Sequence, residues 1–203
     1  MPIVLNGSGT ITGISAGGLP DGIIQAADLA SGVGGKILQV KQTIKTDTTS
    51  TTSLNSFVDI SGMSVSITPS SSSNKILVIV DMRLSANQNR NVAYRLMRDS
   101  TAIYIGDSAS NRTQGTGSMR LMDQARYDMQ SETAIFLDSP STTSATTYKV
   151  QWCHTFGGSG DNCWLNRSYE DNDSDDRVRA ASSITVEEVA AVRLSYYIAV
   201  VMV

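Results

Sequence analysis

The chain has 203 residues, with 16 Lys+Arg, 19 Asp+Glu, one His and two Cys, a formal charge of −3 and a pI near 5.1. That balance excludes a general nucleic-acid binder, which needs clustered Lys and Arg to displace counterions. A hydrophobic content of 40% excludes wholesale disorder, and a single His leaves few routes to acid–base catalysis.

Residues 1–35 have their own composition: nine glycines and no aromatic residue. Ile11, Ile14, Leu19, Ile23, Ile24 and Leu29 recur between Gly-Thr, Gly-Gly and Pro20-Asp21-Gly22 turns. Such a segment buries too little apolar area to order alone, so it is expected to pack against copies of itself or against a partner; a flexible Gly/Ser-type linker is the plainer alternative. Met1–Asn6 lacks the basic region and apolar core of a signal peptide. No apolar run approaches the ~20 residues that span a bilayer, and two Cys do not make a disulfide scaffold. The chain therefore reads as soluble, without membrane insertion, and made in a reducing cytoplasm.

From Lys36 the hydrophobic period becomes 2, the mark of strands with one buried face. Ile37–Thr46 and Ser56–Ile60 are the first candidates. Met63, Val65 and Ile67 then alternate with Ser64, Ser66 and Thr68, and Pro69–Asn74 breaks the run. The pattern is clearest over Lys75–Leu84, with Ile76, Val78, Val80, Met82 and Leu84 on one face and Leu77, Ile79, Asp81 and Arg83 on the other. Val92–Arg98 and Thr101–Ile105 flank a hairpin turn. Met119–Met129, Glu132–Leu137, Thr147–Phe156, Cys163–Arg167 and Ser183–Val189 follow, and Leu121–Met129 is ambiguous between strand and helix. Val192–Val203 alternates again, with both faces largely apolar, so it needs burial on two sides. Many short strands with polar turns predict an all-β chain, an antiparallel β-sandwich over residues 36–203.

Several residues invite chemistry. His154, counted in twos, shares a face with Tyr148, Val150, Trp152 and Phe156, which predicts a packed, hydrogen-bonded core histidine; no Gly-x-Ser-x-Gly elbow accompanies it. Cys153 and Cys163 would face each other if Gln151–Phe156 and Cys163–Arg167 formed a hairpin, yet two Cys and one His leave a structural zinc site incomplete. Two free thiols are the default expectation, with a bridge as the alternative. Asp171, Asp173 and Asp175 have the spacing that opens a calcium loop, but Asp176 stands where the loop needs Gly and Ser182 where it needs Glu. An irregular calcium site competes there with a solvated acidic loop. No metal, cofactor or catalytic residue is therefore assigned.

Arg90, Arg95, Arg98, Arg112, Arg120 and Arg126 are mixed with Asp99, Asp107, Asp123 and Asp128, so they form no basic patch. The loops Ser85–Asn91, Ser108–Ser118 and Phe156–Asn162 are rich in amides and hydroxyls, with Trp164 and Tyr169 nearby. Aromatic faces beside amide and carboxylate groups suit sugar recognition. Asn87, Asn89, Arg112, Gln114, Trp164 and Tyr169 are the candidate ligand-facing residues and a surface glycan the candidate ligand; an ordinary exposed polar loop is the plainer reading.

Gly9–Gly22 followed by Ala26–Ala30 resembles the N-terminal segment of tail-fibre-like proteins of bacteriophages, especially those of cyanobacteria and marine bacteria. Asn74–Val80, Arg95–Asp107 and Ser182–Val186 are similar to the globular domains that follow it in that group. The resemblance covers about a third of the chain. It implies a homotrimeric virion protein with a jelly-roll-like head of the C1q/TNF shape, and residues 1–35 as the segment that attaches to another virion protein. Two departures matter: the chain continues past the Ser-Ser-Ile-Thr-Val strand, and it has no long shaft. The expected function is a tail fibre or receptor-binding knob for host attachment, with capsid decoration on the phage head as the alternative.

Overall fold

The structure, a computed structural model, describes residues 36–87, 89–121, 127–158 and 160–191. The expectations placed on Ile11, Ile14, Leu19, Ile23, Ile24, Leu29 and Val192–Val203 fall outside these. The described residues form eleven strands and no helix: β1 Ile37–Lys45, β2 Thr49–Thr51, β3 Val58–Ile67, β4 Lys75–Ala86, β5 Asn91–Arg98, β6 Thr101–Ile103, β7 Gly117–Arg120, β8 Gln130–Asp138, β9 Thr146–Phe156, β10 Cys163–Leu165 and β11 Ser182–Val189.

All the ladders are antiparallel. One sheet runs β1-β11-β4-β10-β2, with β8 also paired to β4; the other runs β3-β9-β5-β6, with β7 also paired to β5. Long crossovers place sequence-distant strands side by side, which gives a jelly-roll-like β-sandwich. Ile76, Val78, Val80, Met82 and Leu84 of β4 meet Tyr148, Val150 and Trp152 of β9 and Ile184 and Val186 of β11 in one core. Leu77, Ile79, Asp81 and Arg83 lie on the outer side, as the alternation predicts.

Three local features depart from the sequence reading. Ser56–Ile60 and Met63–Ile67 belong to a single strand, β3, whose register slips between Asp59 and Ser64; Gly62, at φ 80°, supplies the positive dihedral of that irregularity. Phe156 does not share the His154 face. The β5–β9 register shifts, so that Val92 opposes His154 while Asn91 opposes Phe156, and the extra residue, Thr155, turns the Phe156 ring outward. Cys153 and Cys163 do not face each other across a hairpin ladder, because β9 and β10 lie in different sheets.

The sandwich has two unlike ends. At the proximal end, Ile37 opposes Val189 and Val189 opposes Lys75, so the unit Ile37–Ala191 begins and finishes together. At the distal end, Lys45 opposes Ser182, Ala86 opposes Cys163, and Asn91 opposes both Phe156 and Arg120. The connections β1–β2, β4–β5, β9–β10 and β10–β11 therefore emerge distally.

Candidate functional site

The distal loops are tied to one another by backbone and amide bonds. Asn87 N donates to Asn162 O, and Asn162 N donates to Asn87 Oδ1, which joins the β4–β5 and β9–β10 connections. Asn89 N donates to Leu121 O at 2.9 Å and brings in the end of β7. Asn166 is fully buried and donates to Lys45 O at 2.8 Å and Asp47 O at 3.0 Å, which fixes the long β10–β11 loop to the end of β1.

Arginines seated on aromatic rings dominate this end. Phe156 is 56% exposed, with the Arg90 and Arg120 guanidinium carbons each 5.9 Å from its ring centre. Arg120 reaches it from the neighbouring strand across Asn91, whose Oδ1 is buried without a hydrogen-bond partner. Arg90 Nε also donates to Asp161 Oδ2 at 2.6 Å, and Gly158 N donates to the same oxygen at 2.6 Å. Burial pushes the Asp161 carboxyl up, but those two donors hold it below the usual carboxylate range. Gly157 makes this closure possible: a Cβ there would sit 2.5 Å from Asp161 Oδ2 and 2.7 Å from Arg90 Cδ.

Trp164 and Tyr169 form a tilted ring pair with centres 5.4 Å apart, and Arg167 lies 5.2 Å over the Trp164 ring. Arg167 also donates to Ser168 O and Tyr169 O, at 3.0 and 2.9 Å, so the loop is folded around its side chain. Arg177 stacks 3.6 Å from the Tyr127 ring centre, and Arg95 lies 4.3 Å from that of Phe57. Guanidinium–ring contacts of this kind set a cation against a ring that still offers an apolar face, and most of these guanidinium groups also bond to loop carbonyls or carboxylates. Sugar rings and anionic groups are the ligands such a surface can hold.

The six candidate loop residues divide. Asn87, Asn89, Trp164 and Tyr169 belong to the distal end. Arg112 and Gln114 sit instead in the β6–β7 connection, which runs along the β5 edge of the second sheet, with Gln114 Nε2 donating to Gly106 O at 2.9 Å. Phe156, Arg90, Arg120, Tyr127 and Arg177 were not singled out as a group by the sequence. They are scattered over nearly ninety positions, and only the crossovers unite them.

The remaining chemistry-bearing residues have structural surroundings. His154 is fully buried, and its Nε2 lies 2.9 Å from Thr52 O, an acceptor that requires the proton on that nitrogen. Cys153 and Cys163 are free and fully buried. In the acidic loop, the Asp171 carboxylate meets Arg179 at 2.7 Å and Arg167 at 3.2 Å, while Asp176 pairs with Arg177. Among the described residues no three His, Cys, Asp or Glu side chains gather in a metal-holding group.

No family model matches the chain, and no curated protein matches it. Among solved structures, one match is a chain from the structure of infectious bursal disease virus Gt strain, with a TM-score of 0.38 and 12% identity, over 76% of this chain. The match spans 38% of that viral chain.

Proposed function

We propose that this chain is a non-enzymatic virion structural protein: a trimeric tail fibre or receptor-binding knob that attaches to the host surface through its distal loops. One observation carries the reading. The chain enters and leaves the sandwich at the proximal end, where Ile37 opposes Val189, while the arginine–aromatic loops occupy the opposite end. A domain tethered at one end and presenting ring faces and guanidinium donors at the other has the polarity of an adhesin. Residues 1–35 would serve as the link to another virion protein, and a host-surface glycan would be the ligand. Three copies acting together would strengthen contacts that are weak singly. The burial of His154, with its ring bonded to a backbone carbonyl, supports a structural rather than a catalytic part for the single histidine.

Antibody-gold labelling of intact particles tests the location, and competition of the purified full chain with particle adsorption tests the binding. Label at the tail together with blocked adsorption is the expected result. Label spread over the head with adsorption unchanged would replace the reading with capsid decoration.

A further inference from the structure

Among the described residues five arginines meet an aromatic ring, and four of them are also bonded elsewhere. Arg90 and Arg177 bond to a carboxylate, Arg95 to a side-chain amide and Arg167 to backbone carbonyls. Arg120 is the exception. It is exposed, and its guanidinium makes no hydrogen bond or ion pair among the described residues.

The register explains its place. Phe156, Asn91 and Arg120 oppose one another in a single row across β9, β5 and β7. Directly opposed residues project from the same face of a sheet, and the neighbouring Val92 and Met119 lie in the core, so the row faces outward at the distal end. Arg177 and Arg95 sit 3.6 and 4.3 Å from their ring centres and cover those rings, whereas Arg90 and Arg120 stand 5.9 Å from that of Phe156. The wider spacing leaves the Phe156 ring 56% exposed. Gly157 and Gly158 come next, so the two following positions raise no side chain beside it. Asn91 Oδ1, in the middle of the row, is buried and accepts no hydrogen bond among the described residues.

Charge divides the two arginines in the same way. Asp161 takes up the Arg90 cation at 2.6 Å, which leaves Arg120 as the unmatched charge of the row. The chain as a whole carries −3, so its net field does not gather anions, and an anion held here is held by short-range contact. An unbonded guanidinium offers parallel N–H donors to a carboxylate or a similar oxyanion, and an open aromatic face suits the C–H face of a sugar ring. We propose that the row binds an acidic sugar, its pyranose ring stacked on Phe156 and its carboxylate or sulfate group paired with Arg120. As Arg120 turns to that anion, Asn91 Oδ1 becomes an acceptor for a sugar hydroxyl. A neutral sugar would leave Arg120 without a partner, and a bare anion would leave the ring uncovered. The inference rests on the reading of the distal loops as a glycan-binding end and adds the class of sugar.

Binding of the full chain to an array of neutral, carboxylated and sulfated glycans tests it. Acidic glycans should be retained, and their neutral counterparts should bind roughly tenfold more weakly or worse. Methyl-esterifying the carboxylates, or removing the sulfates, of the retained glycans tells which oxyanion is read, because the matching treatment should abolish binding. Arg120→Met should erase the preference for acidic over neutral glycans, and Phe156→Ala should weaken both kinds. Lys75→Met, which removes the same charge at the proximal end, should change neither. All three variants should keep the circular dichroism of wild type. Retention of neutral and acidic glycans alike would overturn the acidic class and leave the glycan reading standing, whereas retention of no glycan would overturn both. Acidic retention that Phe156→Ala leaves untouched and that polyacrylate displaces would be ion pairing alone, and would overturn the stacked sugar.

Discussion

Asn74 Nδ2 donates to Glu188 Oε1 at 2.6 Å inside the proximal end of the sandwich. Ser70 donates to the same oxygen through its N and its Oγ, both at 2.7 Å, and Gln39 Nε2 donates to Glu188 Oε2 at 2.6 Å. Asn74 Oδ1 in turn accepts from Ala191 N at 3.1 Å. One fully buried carboxylate, held by neutral donors alone among the described residues, thus joins the start of β1, the β3–β4 loop and the residue where the described unit ends.

This network should make stability depend on acid. Burial pushes the Glu188 carboxyl up, but the donors of Asn74, Gln39 and Ser70 outweigh it and bring it from 4.5 down to about 2. A carboxyl depressed by folding adds stability above its unfolded value, and that contribution is lost as pH falls from 4.5 toward about 2. Glu188→Gln should cost about 2–3 kcal/mol near neutral pH, a Tm drop of about 5–10 °C. Wild-type and variant Tm should draw together as the buffer passes from pH 4.5 toward about pH 2. Parallel Tm curves across that range would show that the charge on Glu188 does not hold the network.

How much of this was legible follows the range of each signal. The alternation of β4 is a local pattern, and its five inward residues were readable directly. Strand β2, Thr49–Thr51, has no apolar residue and exists only because β10 pairs with it, so no period could announce it. The phase break at Thr155 was equally silent, and it changes Phe156 from a core residue into an exposed platform. Sheet membership of β9 and β10 depends on crossovers, which a hairpin-length reading cannot supply. The same crossovers bring Arg90, Arg120 and Phe156 together. The Glu188 network was missed for another reason: a Glu amid alternating strand residues reads as an outward side chain until its donors, up to 149 positions away, are in place.

The thiols offer a second measurement. Burial pushes Cys153 up to about 11 and Cys163 up to about 12. Only the thiolate attacks a disulfide reagent, so near neutral pH both side chains should be inert in the folded chain. Ellman's reagent should register almost no thiol in native protein and two per chain in denaturant. Rapid reaction of one thiol in the native state would mean that the distal end opens around β9 or β10, and two missing thiols in denaturant would mean that a bridge had formed.

The distal platform makes the sharpest demand. The Phe156 ring is largely exposed, so Phe156→Ala should leave stability within about 0.5 kcal/mol and Tm within about 2 °C of wild type. Binding should respond very differently if a sugar ring stacks there. A loss of about 1.4 kcal/mol per site is about tenfold in affinity, and three linked sites compound it toward a thousandfold. Arg120→Ala should weaken adsorption competition as well, and the gap from wild type should narrow with added salt, because the lost contribution is electrostatic. Arg112→Ala lies off the distal end and should compete like wild type. If Phe156→Ala and Arg120→Ala both compete undiminished while Arg112→Ala fails, the contact surface is the β6–β7 edge and not the arginine–aromatic end.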